Sequence, residues 1–247
     1  MKISIIHPSR NRANKAHQAI LQWLAASSKK VEIQYILSLD NDDSQLNEYM
    51  EWLDKLETES TQPLFSVSHI RGVSDYVVAA TNRGAAISTG DILVFMADDF
   101  ESPLNWDLDI VTVIFDAIQN KKEMSYRVGD VTLGRNAEKV ALLVSDNCNT
   151  AYNLLTLPII TKEFYKENGY FFHPEFKSMW CDNFIYQQSK RNGYLVDAKQ
   201  IIFTHRHYTN VNAEFRSEID ETYIRSNNMY NEGKVTFDKL MALNNWN

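Results

Sequence analysis

Two cysteines, five prolines and eight glycines are few for a chain of 247 residues. Cys148 and Cys181 are too few for a disulfide framework and have no zinc-type spacing, which excludes a stapled secreted scaffold and fits a reducing compartment. No Pro/Gly-rich stretch, low-complexity segment or internal repeat marks a linker, so one domain over 1–247 is expected. Long apolar runs are missing too. None approaches the roughly 18 residues of a membrane span, and Met1 to Pro8 holds too short an apolar run for a signal peptide. A soluble, cytoplasmic protein without an integral membrane segment is therefore expected. Excess positive charge is also absent. The formal charge of −7 argues against nucleic acid as a partner, and an acidic chain that binds an anion needs local positive charge or a bound metal.

What is present is an ordinary globular composition, 44% hydrophobic and 23% charged, enough to bury a sizeable core. Ile3 to Ile6 reads as a short buried strand stopped by Pro8, and Ala16, Ile20, Trp23 and Leu24 follow at helical spacing. Val31 to Leu39 is a second strand, Leu46 to Leu56 a helix, and Phe65 to Ile70 a weaker strand. Ser74 is placed to cap a helix carrying Asn82, and Gly90 to end it. Asp91 to Ala97 is the next strand. This βαβαβαβ order implies a mainly parallel central sheet flanked by helices. Beyond it, Trp106 to Gln119 is amphipathic, while polar residues 120–138, with Gly129 and Gly134, read as a loop or hairpin. Val140 to Ser145 is a strand, Thr161 to Asn168 and Asp182 to Asn192 are helices closed by glycines, and Tyr194 to Thr204 is a strand. A helical stretch is expected near Glu214 to Tyr230, in a tail from Asn210 that would form a lid or an arm.

The most informative segment is Ile92-Leu93-Val94-Phe95-Met96-Ala97-Asp98-Asp99, an apolar strand ending in two carboxylates. Strand carboxyl ends are where open α/β sheets bind ligands, and hard oxygen ligands there suit magnesium or manganese. Taken singly, each signal has a plainer reading: Asp98-Asp99 as a polar turn, Asp40 to Asp43 as an Asx-type turn, Asp182 as a helix cap, and His205 and His207 as a partly buried pair. Asn82 reads as an amide bracing a loop from within a helix.

Four pieces in register resemble the GT-A glycosyltransferases, most of all the inverting family 2. They are His7-Pro8-Ser9-Arg10-Asn11-Arg12, Leu39-Asp40-Asn41-Asp42-Asp43, Thr81-Asn82-Arg83-Gly84, and Ala97-Asp98-Asp99 in place of Asp-x-Asp. Two positions depart from the pattern: Ala97 stands for the first aspartate, and Cys181 for the glutamate that precedes the family's catalytic aspartate. The resemblance implies a GT-A, Rossmann-like α/β fold with a nucleotide-binding half over 1–100, a smaller acceptor-binding subregion over 101–209, and a helical tail over 210–247. It implies a metal-dependent, inverting hexosyltransferase using a nucleotide-sugar donor, with UDP favoured, and a carbohydrate or other hydroxyl acceptor. Pro8, Ser9, Arg12, Asp40, Asn82 and Arg83 would meet the nucleotide, and Asp98 the ribose, unless it acts from behind the site. Asp99, with His205 or His207, would hold Mn2+ or Mg2+. Asp182 would be the general base, and Trp180 would stack on the acceptor. Two other classes stay open. A sugar nucleotidyltransferase usually opens with a Gly-rich phosphate loop, which residues 7–12 lack. A non-catalytic sugar-binding scaffold would account for Ala97 and Cys181.

Overall fold

The computed structural model describes residues 1–60, 62–73, 76–148 and 154–246. Eight strands form one sheet in the order β3-β2-β1-β4-β7-β6-β8-β5. Four come from the first half of the chain: β1 (Lys2–Pro8), β2 (Glu32–Asp40), β3 (Phe65–Gly72) and β4 (Ile92–Phe95). All are parallel, with β1 central between β2 and β4. The other four are β5 (Phe100–Glu101), β6 (Ala141–Asp146), β7 (Ile159–Thr161) and β8 (Leu195–His205). Here β6 and β8 are parallel, whereas β7 is antiparallel to both β4 and β6, and β5 is antiparallel to β8. The expected mainly parallel α/β sheet is present.

Because successive strand residues face opposite sides of a sheet, the apolar strands feed two cores. Ile3 and Ile5 of β1, with Ile92 and Val94 of β4, face α1 (Ala13–Ala26), α2 (Leu46–Glu59) and α4 (Trp106–Val128). Ile6, Leu93 and Phe95 face the other side, toward α3 (Tyr76–Ala86), α6 (Lys162–Asn168) and α7 (Cys181–Arg191). The first core is pinned by two indoles: Trp23 donates to the Phe100 carbonyl at 2.8 Å and Trp106 to the Trp23 carbonyl at 2.9 Å. Both rings are fully buried, each stabilising by about 2–3 kcal/mol. On the other face Gly84 lets α3 approach the sheet, since a Cβ there would lie 2.8 Å from the Ile6 side chain.

Three sequence expectations need correction. Residues 120–138 are not a loop or hairpin: α4 runs on to Val128, Gly129 closes it in the left-handed region at φ 69°, and Asp130 caps a short α5 (Val131–Asn136). Helix formers with polar side chains continued a helix already under way, and only Gly129 broke it. Gly90 is not the end of α3, which stops at Ala86; it lets the chain pass Ser4, whose backbone nitrogen would lie 2.6 Å from a Cβ. The single stretch Glu214 to Tyr230 is instead a 3-10 turn at Ala213–Phe215, α8 (Glu221–Asn227), and α9 (Tyr230–Leu243). Ser74, the proposed cap of α3, lies outside the described residues.

No helix among the described residues is long and apolar enough to cross a membrane. α9 instead packs on α7: Trp180 meets Tyr230 and Phe237, Phe184 meets Trp246, and Gly233 comes so close to the Met179 carbonyl that a Cβ would lie 2.3 Å from it.

Candidate functional site

The carboxyl ends of β1, β2 and β4 open into a cleft lined by Pro8, Ser9, Arg12, Asp40, Asp98 and Asp99, with α8 across from them. Strand order explains the convergence. With β1 between β2 and β4, the segments leaving all three strands meet at one edge of the sheet.

Asp98 and Asp99 behave differently. The buried Asp98 points into the protein, where Oδ1 accepts from the Ser9 hydroxyl at 2.8 Å and lies 2.9 Å from His7 Nε2. Arg12 Nη1 is 3.6 Å from its other oxygen. The His7 ring is itself held by the Tyr35 hydroxyl at 2.8 Å, and Ser9 by that of Tyr49 at 2.8 Å. Asp98 therefore braces the first loop from behind. Asp99 faces the cleft rim, where Oδ2 accepts from the Tyr223 hydroxyl at 2.6 Å and lies 3.4 Å from His205 Nε2. Burial opposes ionisation of Asp99, but His205, Tyr223 and Arg12 together hold its carboxyl well below the usual range.

Asp40 sits between two guanidinium groups, with Arg10 3.1 Å from one oxygen and Arg83 3.2 Å from the other. Arg83 also donates to the Leu39 carbonyl at 2.9 Å, to the Val73 carbonyl and to the Ser38 hydroxyl. It is not among the residues lining the cleft, and its donors tie α3 to the ends of β2 and β3. Asn82 is likewise a brace. Its amide oxygen accepts from the backbone of Phe171 and Phe172, both at 2.9 Å, and its nitrogen donates to the Phe172 carbonyl at 2.8 Å.

Arg12 is turned toward the segment that precedes α8. It makes a bidentate pair with Asp220 at 2.9 and 2.5 Å, and its guanidinium lies 4.7 Å above the Tyr223 ring. Burial raises the Asp220 carboxyl, but Arg12 and Lys15 outweigh it and hold the group at about 2. Asp220 also caps α8 through the Thr222 and Tyr223 amides. Asp220 and Tyr223 thus strap α8 over Arg12 and Asp99.

His205 ends β8 opposite Phe100, whose ring it stacks on at 4.0 Å and 17°. His207 follows with its ring centroid 5.0 Å away, and its Nδ1 lies 2.7 Å from the Thr209 hydroxyl. Burial, and secondarily the charge of His205, push His207 down to about 4. The two histidines do lie side by side, and only His205 reaches Asp99.

Asp182 lies inside the first turn of α7 and is not its cap, a position held by Trp180 at φ 74°. It is partly open to solvent yet densely surrounded, and burial, with a smaller push from the charge of Asp146, raises its carboxyl to about 6. That Asp146 link connects Asp182 to the histidine side of the site, since Asp146 Oδ1 lies 3.9 Å from His205 Nδ1. Trp180 faces α9 and carries the Lys234 ammonium 5.2 Å from its ring centre. Sequence reasoning overlooked Asp146, although it follows the buried run Ala141 to Val144, the same pattern that singled out Asp98 and Asp99.

No family model matches the sequence, and no curated protein matches it. Solved structures do. S. aureus TarS 1-349 superposes with a TM-score of 0.57 at 15% identity, covering 83% of this chain and 60% of that one. The same protein in complex with UDP-GlcNAc gives 0.57 at 16% over 92% of this chain and 64% of that one. The mannosyltransferase PcManGT from Pyrobaculum calidifontis, in complex with GDP-Man and Mn2+, gives 0.55 at 12% over 83% and 56%. This chain has the GT-A fold. It spans less than two thirds of the length of each of these neighbours, so the GT-A sheet, and not the whole of those proteins, is what they have in common with it.

Proposed function

We propose that the protein is a metal-dependent, inverting glycosyltransferase that moves a sugar from a nucleotide diphosphate donor, UDP-linked by preference, to an acceptor hydroxyl. One observation carries this reading: Asp40, Asp98, Asp99 and Arg12 converge on one cleft at the carboxyl edge of a GT-A sheet. The donors bound to the neighbours, UDP-GlcNAc and GDP-Man with Mn2+, support a nucleotide sugar and a divalent cation. In this reading residues 1–100 form the nucleotide half, 101–209 the acceptor half, and the rest a tail, all within one domain.

Pro8 and Ser9 line the wall on which the nucleoside rests. Asp40 accepts the N–H of uracil, and Arg12 turns from Asp220 to the diphosphate. Asn82 and Arg83 act from behind, by fixing the loops. The cation edge is Asp99 with His205, and His207 beside them. The residues fit a cation at this edge, because the Asp99 carboxyl is held ionised and stands 3.4 Å from His205 Nε2. When bound, Mn2+ or Mg2+ supplies Lewis-acid stabilisation of the charge growing on the departing diphosphate. Asp182, with its carboxyl near 6, is largely ionised at neutral pH and takes the proton from the acceptor hydroxyl as that oxygen attacks opposite the leaving group. Trp180 shapes the acceptor wall by packing on α9.

The test is calorimetric titration of UDP into the protein with Mn2+ and with chelator, followed by a panel of UDP-sugars. Metal-dependent UDP binding with sugar transfer is the expected outcome. Binding without turnover of any donor would favour the scaffold reading, and absence of binding in both conditions would remove the UDP assignment.

A further inference from the structure

We infer that Asp146, Cys148 and His205 form a three-residue seat for a borderline divalent cation, of the Zn2+ and Co2+ class, with Asp99 orienting the histidine. Among the described residues these three are the group whose ligand atoms all approach within 4.8 Å of one another. The independent observation is the imidazole itself. His205 is 9% exposed, and its Nδ1 is buried without a hydrogen-bond partner, 3.9 Å from Asp146 Oδ1. A buried ring nitrogen left without a partner destabilises the fold, and a cation between it and Asp146 removes that cost.

The surroundings hold the ligands in place. The His205 ring is fixed by its stack on Phe100, and its backbone N–H donates to the Asn147 side chain at 2.6 Å. Asp146 accepts the Cys148 N–H on Oδ1 at 2.8 Å and the Thr156 hydroxyl on Oδ2. Register makes the meeting possible, because Asp146 pairs with Phe203 across the parallel β6 and β8, two residues before His205. Cys148 then follows Asp146 by two. Metal–ligand bonds of about 2.0–2.3 Å place tetrahedral ligand atoms roughly 3.3–3.8 Å apart, so the cluster closes on an ion through shifts below an ångström.

The donor set decides the metal class. One thiolate, one imidazole and one carboxylate suit Zn2+ or Co2+ better than Mn2+, and Mg2+ least of all. Three protein ligands leave the fourth position open, the arrangement of catalytic rather than structural zinc sites. Asp99 completes the pattern. With Nδ1 on the ion, His205 Nε2 would carry the proton and face Asp99 Oδ2, 3.4 Å away, as in the carboxylate–histidine–metal relation that fixes ring orientation. This seat lies on the Nδ1 side of the ring, whereas Asp99 lies on the Nε2 side, so it is a position apart from the Mn2+ or Mg2+ edge at Asp99 and does not depend on the transferase reading.

The experiment is run without nucleotide. Chelator-treated protein is titrated with Co2+, and the thiolate-to-cobalt charge-transfer band in the near ultraviolet is followed. One Co2+ per chain with that band is expected, displaced by Zn2+ and not by Mg2+. Cys148→Ser should abolish the band, and Asp146→Asn should weaken Co2+ binding at least tenfold. Asp99→Asn should weaken it about 10- to 100-fold with the band retained, as for other outer carboxylates. Cobalt bound without the band, no cobalt bound, or an affinity unmoved by Asp146→Asn and Cys148→Ser would each overturn the proposal. Circular dichroism checks folding of each variant; should Asp146→Asn not fold, the half-exposed Cys148 still decides through its band. UDP titration of the same preparations reports on the transferase reading separately.

Discussion

At the scale of the residue, Asp182 has the most distinctive chemistry outside the cation edge. A base with its carboxyl near 6 must be ionised to act, so kcat/KM should rise with pH through about 6 and then level off. Asp182→Asn should retain UDP binding and lose transfer by a factor of 10²–10⁴, the usual contribution of a general base; retained turnover would remove it from that role. The same group carries a stability signature of fixed sign. Its folded value lies above the unfolded one, so its favourable contribution is complete below pH 4 and is lost as pH rises through 6. Asp182→Asn is therefore expected to raise stability at pH 7, on the order of 1–3 kcal/mol, in urea melts. Asp98, Asp99 and Asp40 were legible in the sequence because they stand at the ends of mainly apolar strands, and a strand end needs no tertiary knowledge. Partner choice was not legible. Nothing local tells that Asp98 turns back to His7 and Ser9 while Asp99 turns outward. Nor does it tell that the Arg83 donors end on the carbonyls of Leu39 and Val73.

At the scale of the element, α8 is the part of the cleft that competes with a ligand. Asp220 engages Arg12 with both oxygens, and any anion that uses Arg12 must displace it. Asp220→Asn keeps an oxygen for the Thr222 and Tyr223 amides but weakens the ion pair. UDP affinity should rise about two- to fivefold in that variant, in line with the 0.5–1 kcal/mol of a partly exposed pair. An unchanged or weaker affinity measured by calorimetry would show that the strap does not oppose the nucleotide. Elements were read well where periodicity was strong, as in α1 and β2. The second half of α4 is not legible, because it carries Lys, Glu and Ser, residues equally at home in a solvated helix and in a loop. β7, three residues long, has too little sequence to display a pattern. The Asp146–His205 meeting depends on the register of β6 and β8, which the chain of residues 147–194 between them conceals.

At the scale of the whole molecule, the tail divides into parts with opposite duties. α8 covers the cleft, whereas α9 completes the second core through Leu240 and Phe237. A chain ending after Asn228 should lose on the order of 5 kcal/mol, from the apolar area that α9 buries and from the uncovered Trp180 and Phe184. Thermal melting checks this, and an unchanged Tm would mean that α9 is a dispensable appendage. The mainly parallel sheet is the most legible level, because alternating strands and helices imply it, and the GT-A likeness rests on the four motif pieces, while each loop is fixed only by what it touches.

The contacts that close the cleft also set a timetable. Tyr223 lies 124 positions after the Asp99 it covers, and Asp220 lies 208 after Arg12. At roughly 5–20 residues per second of translation, Asp99 leaves the ribosome about 6–25 s before Tyr223 does. For that interval the Asp99 carboxylate stands without the Tyr223 hydroxyl, and Arg12 waits longer still for Asp220.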